Sequence, residues 1–262
     1  HNDARRQRQM CIRDRYQRGR VLVLAGSERY RGAALLAAQG AMASGVGSLN
    51  AALPEAVADL IWQWLPELVV SAALPATASG ELAWGPWLAD ADLTRLDALL
   101  LGPGVGVVEA QWGAWAEPLV SFQGLLVLDA DGLNALAASK QGWRWLCRRE
   151  FPTWITPHGS EFARLFPDCN GREPLERAQW AAAESGAVVL LKGAHSLIAD
   201  PNGVVHQLVD TSVQAARTGL GDLLAGFAVG WGARCLACGE EPRGTALACL
   251  LYTSDAADER HG

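Results

Sequence analysis

The stretch RTGLGDLLAGF (Arg217–Phe227) sets an acid, Asp222, behind two glycines and at the head of an apolar run. A helix starting there leaves its first backbone N–H groups unpaired, a setting that suits a phosphate as well as a carboxylate. Asp222 therefore reads either as an ordinary N-terminal cap or as a base beside a bound phosphate. Five other polar or glycine-rich clusters each follow an apolar run: Gly26-Ser27, Gly102-Pro103-Gly104-Val105-Gly106, Asp129 with Asp131 and Asn134, Thr156-Pro157-His158, and Lys192-Gly193-Ala194-His195-Ser196. Singly, such clusters make turns and caps. Their recurrence after successive strand-like runs indicates one shared site, because ligands of open α/β sheets bind beyond the carboxyl ends of the strands.

The elements that must hold these clusters alternate along the chain. RVLVLAG is a short buried strand, and the alanine-rich YRGAALLAAQGAMASG a helix buried over much of its surface. SLNAALP reads as a strand, EAVADLIWQWL as a helix and ELVVSAA as another strand. LDALLLGPGVG is a strand entering a glycine loop, GLLVLDADGLNALA a strand ending in acids and turning into a helix, and TWITPHGSEFARLF repeats strand, loop and helix. REPLERAQWAAAESG is an amphipathic helix, AVVLLKG a strand, and HSLIADPNGVVHQLV a hairpin turning at Asn202-Gly203. Such alternation predicts an α/β fold with a mostly parallel central sheet and helices on both faces.

Two terminal segments stand apart. RRQRQMCIRDR near the start and CLLYTSDAADE near the end share neither composition nor pattern with the rest. Plausible codons for the first, read on the opposite strand and one base along, spell most of the second, as a sequencing adapter translated from both ends of a DNA fragment would. Residues 1–15 and 249–262 are thus expected to be non-native, and 16–248 to form a single domain truncated at both ends. The chain has 262 residues and a formal net charge of −6, and five arginines lie in the N-terminal segment, so the remainder is more acidic still. Nucleic acid is an unsuitable partner for it. No apolar run reaches the ~20 residues of a membrane span, and a cytoplasmic, reducing setting is expected for the cysteines. Cys235 and Cys238 form a C-x-x-C late in an alanine-rich helix, where a buried packing role is expected rather than a redox one. No P-loop, dinucleotide fingerprint, G-x-S-x-G elbow or His/Cys metal spacing is present.

Six segments, GSERYRGAALLAAQGAMASGVGSL, LLLGPGVG, LVLDADGLNAL, ITPHGSEFARL, VVLLKGAHSLIADPNG and TGLGDLLAGF, occur in the order found in the ADP-dependent NAD(P)H-hydrate dehydratases, and the resemblance spans nearly all of Gly19–Trp231. It implies a ribokinase-like three-layer sandwich. It also implies a lyase activity in metabolite repair: ADP-driven dehydration of the hydrated nicotinamide of (6S)-NADHX or NADPHX, giving NAD(P)H, AMP and phosphate, with Mg2+ accompanying the donor. By motif, Asp222 matches the catalytic acid and Gly221 lies against the nucleotide. Lys192, Gly193, Ala194, His195 and Ser196 match the AMP-binding loop. Ala33, Gly104 and His158, with Asp222, match contacts to the hydrated dinucleotide. Glu161 and Asp131 are candidates to hold magnesium or place water. The usual TPHPGE is TPHGSE here, with Gly159 and Ser160 substituted, and the usual GGTGD is TGLGD, with Leu220 in place of a small polar residue. The first alters the surroundings of His158, and the second removes a hydroxyl contact to phosphate.

The resemblance further implies a homo-oligomer, with a tetramer as a state common among relatives, and an NAD(P)H-hydrate epimerase fused or paired with the chain. The alternative readings are a small-molecule (vitamin-precursor) kinase of the same fold and a catalytically inactive nucleotide-binding protein. Free phosphate distinguishes the dehydratase from the kinase, and the intact Asp222 and LKG loop argue against the inactive binder.

Overall fold

A computed structural model describes residues 17–107, 112, 116–208 and 218–244. Both terminal segments set apart above lie outside the described residues, as does Arg217. The strands are β1 (Arg20–Leu24), β2 (Ser48–Pro54), β3 (Val69–Leu74), β4 (Ala98–Leu101), β5 (Leu125–Leu128), β6 (Thr153–Ile155), β7 (Val188–Leu191), β8 (Leu197–Ala199) and β9 (Val205–Gln207). They form one nine-stranded sheet in the order β3-β2-β1-β4-β5-β6-β7-β8-β9. Every pairing from β3 across to β7 is parallel, while β7, β8 and β9 pair antiparallel. The order runs outward in opposite directions from β1 and β4, which makes the crevice between these two strands the topological switch point.

The helices are α1 (Arg31–Ala43), α2 (Glu55–Ala58), α3 (Gly85–Asp90), α4 (Glu117–Ser121), α5 (Asp131–Ala138), α6 (Gly159–Leu165), α7 (Pro174–Ser185) and α8 (Leu220–Ala237). Successive strand residues point to opposite faces, so each central strand feeds two cores. Leu22, Leu24, Leu99 and Leu101 pack with Leu88 of α3, Leu119 of α4, Leu133 of α5, Phe162 of α6 and Ala178 of α7. Val21, Val23, Leu100 and Val127 pack with Ala34 and Ala37 of α1 and with Ala225, Ala228 and Val229 of α8. The result is the three-layer α/β architecture expected from the alternation.

The α1–α8 contact sets where Asp222 stands. A Cβ on Gly40 would run into the Leu223 carbonyl, one on Gly226 into the Ala37 carbonyl, and one on Gly230 would lie 2.9 Å from the Ala41 carbonyl. Glycine at these places lets the two backbones touch and locks the axial register of α8 against α1.

Two local expectations change. Instead of one helix over residues 55–65, α2 stops at Ala58 and a single 3-10 turn covers Ile61–Gln63. The Trp62 indole donates to the Asp59 carbonyl at 3.0 Å, and Gln63 N–H bonds to Leu60 O rather than continuing the α pattern. The hairpin turns at Asn202-Gly203 as expected, within a loop that also takes in Pro201: Asp200 Oδ1 accepts from the N–H groups of Asn202 (2.8 Å) and Val204 (3.2 Å), and Gly203 takes a φ of 87°. Of the C-x-x-C pair, Cys235 is buried but Cys238, which caps the end of α8, is exposed; both are free thiols.

Candidate functional site

The carboxyl ends of β1, β4, β5, β6 and β7 bring their clusters to one edge of the sheet. Gly26, just after β1, donates its N–H to the Pro103 carbonyl after β4 at 2.7 Å, closing the switch-point crevice. Here Gly104 (φ 64°) meets the start of α1: a Cβ on it would sit 2.7 Å from the Cβ atoms of both Ala33 and Tyr30. Two of the expected dinucleotide contacts, Ala33 and Gly104, are therefore neighbours, packed so closely that only a glycine backbone fits.

Asp131, the first residue of α5, ties this corner to the next. Its Oδ2 accepts from the Gly106 N–H at 2.9 Å and its Oδ1 from the Asn134 side-chain amide at 3.4 Å. Ala130, before it, has a φ of 48°, a left-handed value unusual for a residue bearing a Cβ. Strain of this kind persists where surrounding structure over-determines the backbone. Gly102 supplies part of that constraint, since a Cβ on it would collide with the Asp129 carbonyl.

Asp129 itself, at the end of β5, is buried, with 1% of its surface exposed. One of its oxygens, Oδ1, accepts from Thr156 Oγ1 at 2.8 Å and from Lys192 Nζ at 2.7 Å. Thr156 follows β6 and Lys192 follows β7, so a single carboxylate bridges the ends of three adjacent strands. The backbone repeats the link: Lys192 N–H bonds to the Pro157 carbonyl at 2.9 Å, and His158 and Lys192 form a parallel bridge.

His158 is the N-cap of α6. Its Nδ1 accepts from the Ser160 N–H at 3.2 Å, while Glu161 Oε2 accepts from the His158 N–H at 2.9 Å, a reciprocal capping box. Because Nδ1 accepts, the neutral ring carries its proton on Nε2, which lies 3.1 Å from Glu161 Oε1. Both Glu161 oxygens are thus engaged with His158. Burial pushes the Glu161 carboxyl above its ordinary range, opposed by the His158 N–H and by Lys192. Gly159 and Ser160, the departures from the family pattern, leave the box closed.

Asp222 is the third residue of α8, not its cap. The cap is Gly219, in the left-handed region at φ 88° with no side-chain cap bond, and Leu220 and Gly221 precede Asp222 within the helix. The plain capping explanation for this acid is therefore removed. No hydrogen bond to a described residue engages its carboxylate. Burial pushes its carboxyl from 3.8 up to about 6; Asp129 adds to the rise, Lys192 opposes it and Asp131 contributes least. The Lys192 ammonium is close by: a Cβ on Gly221 would be 3.6 Å from Nζ. The rest of the expected nucleotide loop, Gly193 to His195, is an exposed turn pinned by Ser196, whose Oγ meets the Gly193 N–H at 3.4 Å and the Gly193 carbonyl at 3.3 Å.

The residue that sequence reasoning passed over is Asp129. The LDADG segment named it, but its burial and its hold on Lys192 depend on strand ends that meet only in the fold. Among the described residues no group of three or more His, Cys, Asp or Glu side chains is arranged to hold a metal ion. Two cavities of about 400 and 310 Å3, lined by residues such as Arg20, Trp87 and Leu93, open at the opposite, amino ends of the strands and include none of these site residues.

Known proteins are similar to this chain in sequence and in fold. Residues 21–261 match the family model described as NAD(P)H-hydrate dehydratase. The bifunctional NAD(P)H-hydrate repair enzyme Nnr of Synechocystis is 43% identical over 216 residues, covering 82% of this chain and 40% of the relative, so the chain spans about two fifths of that protein's length. The ADP-dependent (S)-NAD(P)H-hydrate dehydratase of Xanthomonas campestris is 32% identical over 224 residues, covering 84% of this chain and 74% of the relative. Among solved structures, the ADP/ATP-dependent NAD(P)H-hydrate dehydratase from Bacillus subtilis, co-crystallised with ATP and Mg2+, superposes with a TM-score of 0.72 at 32% identity, covering 89% of this chain and 77% of that one. A ribokinase-like superfamily protein from Enterococcus faecalis shares the fold, with a TM-score of 0.70 at 20% identity, covering 93% of this chain and 81% of that one. With its fold and its ordered strand-end clusters, the chain belongs to the NAD(P)H-hydrate dehydratase family.

Proposed function

We propose that this chain dehydrates the hydrated nicotinamide of (6S)-NADHX or NADPHX, using ADP as phosphoryl donor and releasing NAD(P)H, AMP and phosphate. One observation carries the reading: Asp222, an acid without a hydrogen-bonding partner among the described residues and with a carboxyl raised to about 6, stands in the first turn of α8 beside the Lys192 ammonium. The hydroxyl of the hydrate is a poor leaving group and must first be phosphorylated. Asp222 takes the hydroxyl proton as general base. The Lys192 ammonium and the unpaired N–H groups at the start of α8 face the phosphoryl group and balance its charge. The ring nitrogen's lone pair then expels phosphate to leave a cationic iminium, and loss of a proton from the adjacent ring carbon to solvent restores the dihydronicotinamide. Lys192 to Ser196 and Gly221 hold the nucleotide, and Ala33, Gly104 and His158 the dinucleotide.

The donor set fits a magnesium ion that arrives on the nucleotide. The protein offers scattered carboxylates rather than a cage, and the oxygens of Glu161 and Asp131 already accept hydrogen bonds. Magnesium commonly binds through substrate phosphates with few protein ligands, and when bound it neutralises phosphate charge. Exposed Leu60, Trp62, Trp64, Val69 and Val70 beside the open edge of β3 support a homo-oligomer, which the mass in solution tests. The Nnr relative supports pairing with an epimerase activity.

The test of the function supplies hydrated NADPH, ADP and magnesium, then follows the returning nicotinamide absorbance together with free phosphate. Equimolar recovery of both is expected. A stable phosphorylated product without free phosphate would indicate a kinase instead, and no turnover with either nucleotide would overturn the reading.

A further inference from the structure

We propose that Asp129 is a positioning residue: it anchors the Lys192 ammonium against the first turn of α8, so that the charge faces the donor's phosphates. The inference rests on the functional reading above and adds to it a residue outside the expected loop.

A lysine side chain is a compact charge on a flexible four-carbon stem, and it reaches one point in space only if something selects that rotamer. Here the selector is the Asp129 carboxylate, 2.7 Å from Nζ. A buried carboxylate requires compensation, and Asp129 finds it in Lys192 and Thr156. The acid is itself immovable. Thr156 holds its Oδ1 from the neighbouring strand, strained Ala130 follows it, and the Cα of Gly102 packs against its carbonyl. The pair thus places the ammonium beside the Gly221 backbone in the first turn of α8, with Nζ 3.6 Å from the position a Cβ would take.

The other acids nearby are committed elsewhere or hold no bond. Glu161 closes the His158 capping box, Asp131 accepts from Gly106 and Asn134, and Asp222 forms no hydrogen bond to a described residue. Among the described residues Lys192 pairs with Asp129, whereas the expected nucleotide loop beyond it is exposed. A lysine released from Asp129 would still be present but would no longer be aimed.

The experiment is a double-mutant cycle on ADP affinity, measured by calorimetry on the full chain with magnesium and without hydrated dinucleotide, so that no turnover intervenes. Asp129→Asn keeps the size and the Thr156 contact but removes the charge, and should weaken ADP binding at least about tenfold, the scale of one charge-assisted hydrogen bond. Lys192→Met should weaken it by at least as much. The double variant should be no worse than Lys192→Met alone, because the two residues act as one unit. Asp129→Glu retains the charge with a longer reach, and should fall between wild type and Asp129→Asn. That variant decides the matter if Asp129→Asn does not fold. Unchanged ADP affinity in a folded Asp129→Asn or Asp129→Glu protein, or additive losses in the double variant, would overturn the inference while the function stands. A wild-type chain that binds no ADP would overturn both.

Discussion

Replacing Asp222 by asparagine should make the protein inactive and more stable at once. As a helix cap, aspartate would exchange with asparagine at little cost, but Gly219 occupies the cap position and Asp222 lies three residues inside it. Its carboxyl rises from 3.8 to about 6 because of burial, with Asp129 and Asp131 adding and Lys192 opposing. An acid held more weakly ionised in the folded state than in the unfolded one costs stability when it ionises. The cost is absent below about pH 3.8, grows as the pH rises toward 6, and is present in full at pH 7. At about 1.36 kcal/mol per pH unit the rise corresponds to about 3 kcal/mol. The side chain keeps contact with solvent, so screening reduces this to about 1 to 1.5 kcal/mol. Asp222→Asn removes the charge and should raise the melting temperature at pH 7 by roughly 3 to 5 °C for a chain of this size. The gain should shrink to nothing near pH 4. Turnover of hydrated NADPH should fall by at least about a hundredfold, the lower end of general-base contributions. Thermal melts at the two pH values and a coupled phosphate assay measure both. A variant that loses stability at pH 7, or that is folded and nearly fully active, would refute the reasoning.

Four further outcomes are expected. The kcat/KM of the wild type should rise tenfold per pH unit up to about pH 6 and level off above it, as Asp222 becomes ionised; an acid limb retained in the residual activity of Asp222→Asn would assign that titration elsewhere. Gly226→Ala drives a methyl into the Ala37 carbonyl, so it should cost about 1 to 3 kcal/mol and lower kcat by shifting α8, read by denaturant melts and turnover. Arg149 is buried at the amino ends of the strands and bonds to Thr153 Oγ1 and to the carbonyls of Leu119, Gly124 and Pro152; Arg149→Leu should cost about 3 kcal/mol by chemical denaturation while ADP affinity in the folded protein is unchanged. ADP should support a higher kcat/KM than ATP when turnover is compared with each nucleotide, and a clear preference for ATP would overturn the donor assignment.

The parallel sheet and its hairpin were legible because each strand is a short apolar run closed by a turn-forming cluster, and because helices separate the strands. The order in the sheet was not. Nothing in RVLVLAG says that β4, rather than β3, is its second neighbour, since that depends on which crossover returns over β1. Two short helices, α3 and α4, fell below the length at which a 3.6-residue period can be read. Pro86 and Pro118 in their first turns were the available signal. Residues 55–65 carry helical spacing in Val57, Ile61 and Leu65, yet α2 stops at Ala58 and the exposed Trp62 indole bonds to the Asp59 carbonyl three residues back, a local alternative that periodicity does not contain. In the site the clusters themselves were legible, but the capping box of His158 and Glu161 was not read, because histidine is not among the residues that ordinarily cap a helix. Pairings between clusters, such as Asp129 with Lys192 or Ala33 with Gly104, required the strand ends to be brought side by side.

That difference also separates the four carboxylates gathered at this edge by what each is for. Asp129 is neutralised by Lys192, Glu161 is held by the backbone and ring of His158, and Asp131 is held by Gly106 and Asn134. Asp129 and Asp131 join the loops around them, and Glu161, although burial raises its carboxyl too, caps α6 with both oxygens. Asp222 joins nothing among the described residues, and its ionised form weakens the fold. A side chain kept where it opposes stability is accounted for by chemistry rather than by architecture. Its position, in the first turn of a helix and beside an anchored ammonium, is where a hydroxyl proton must leave as a phosphoryl group arrives.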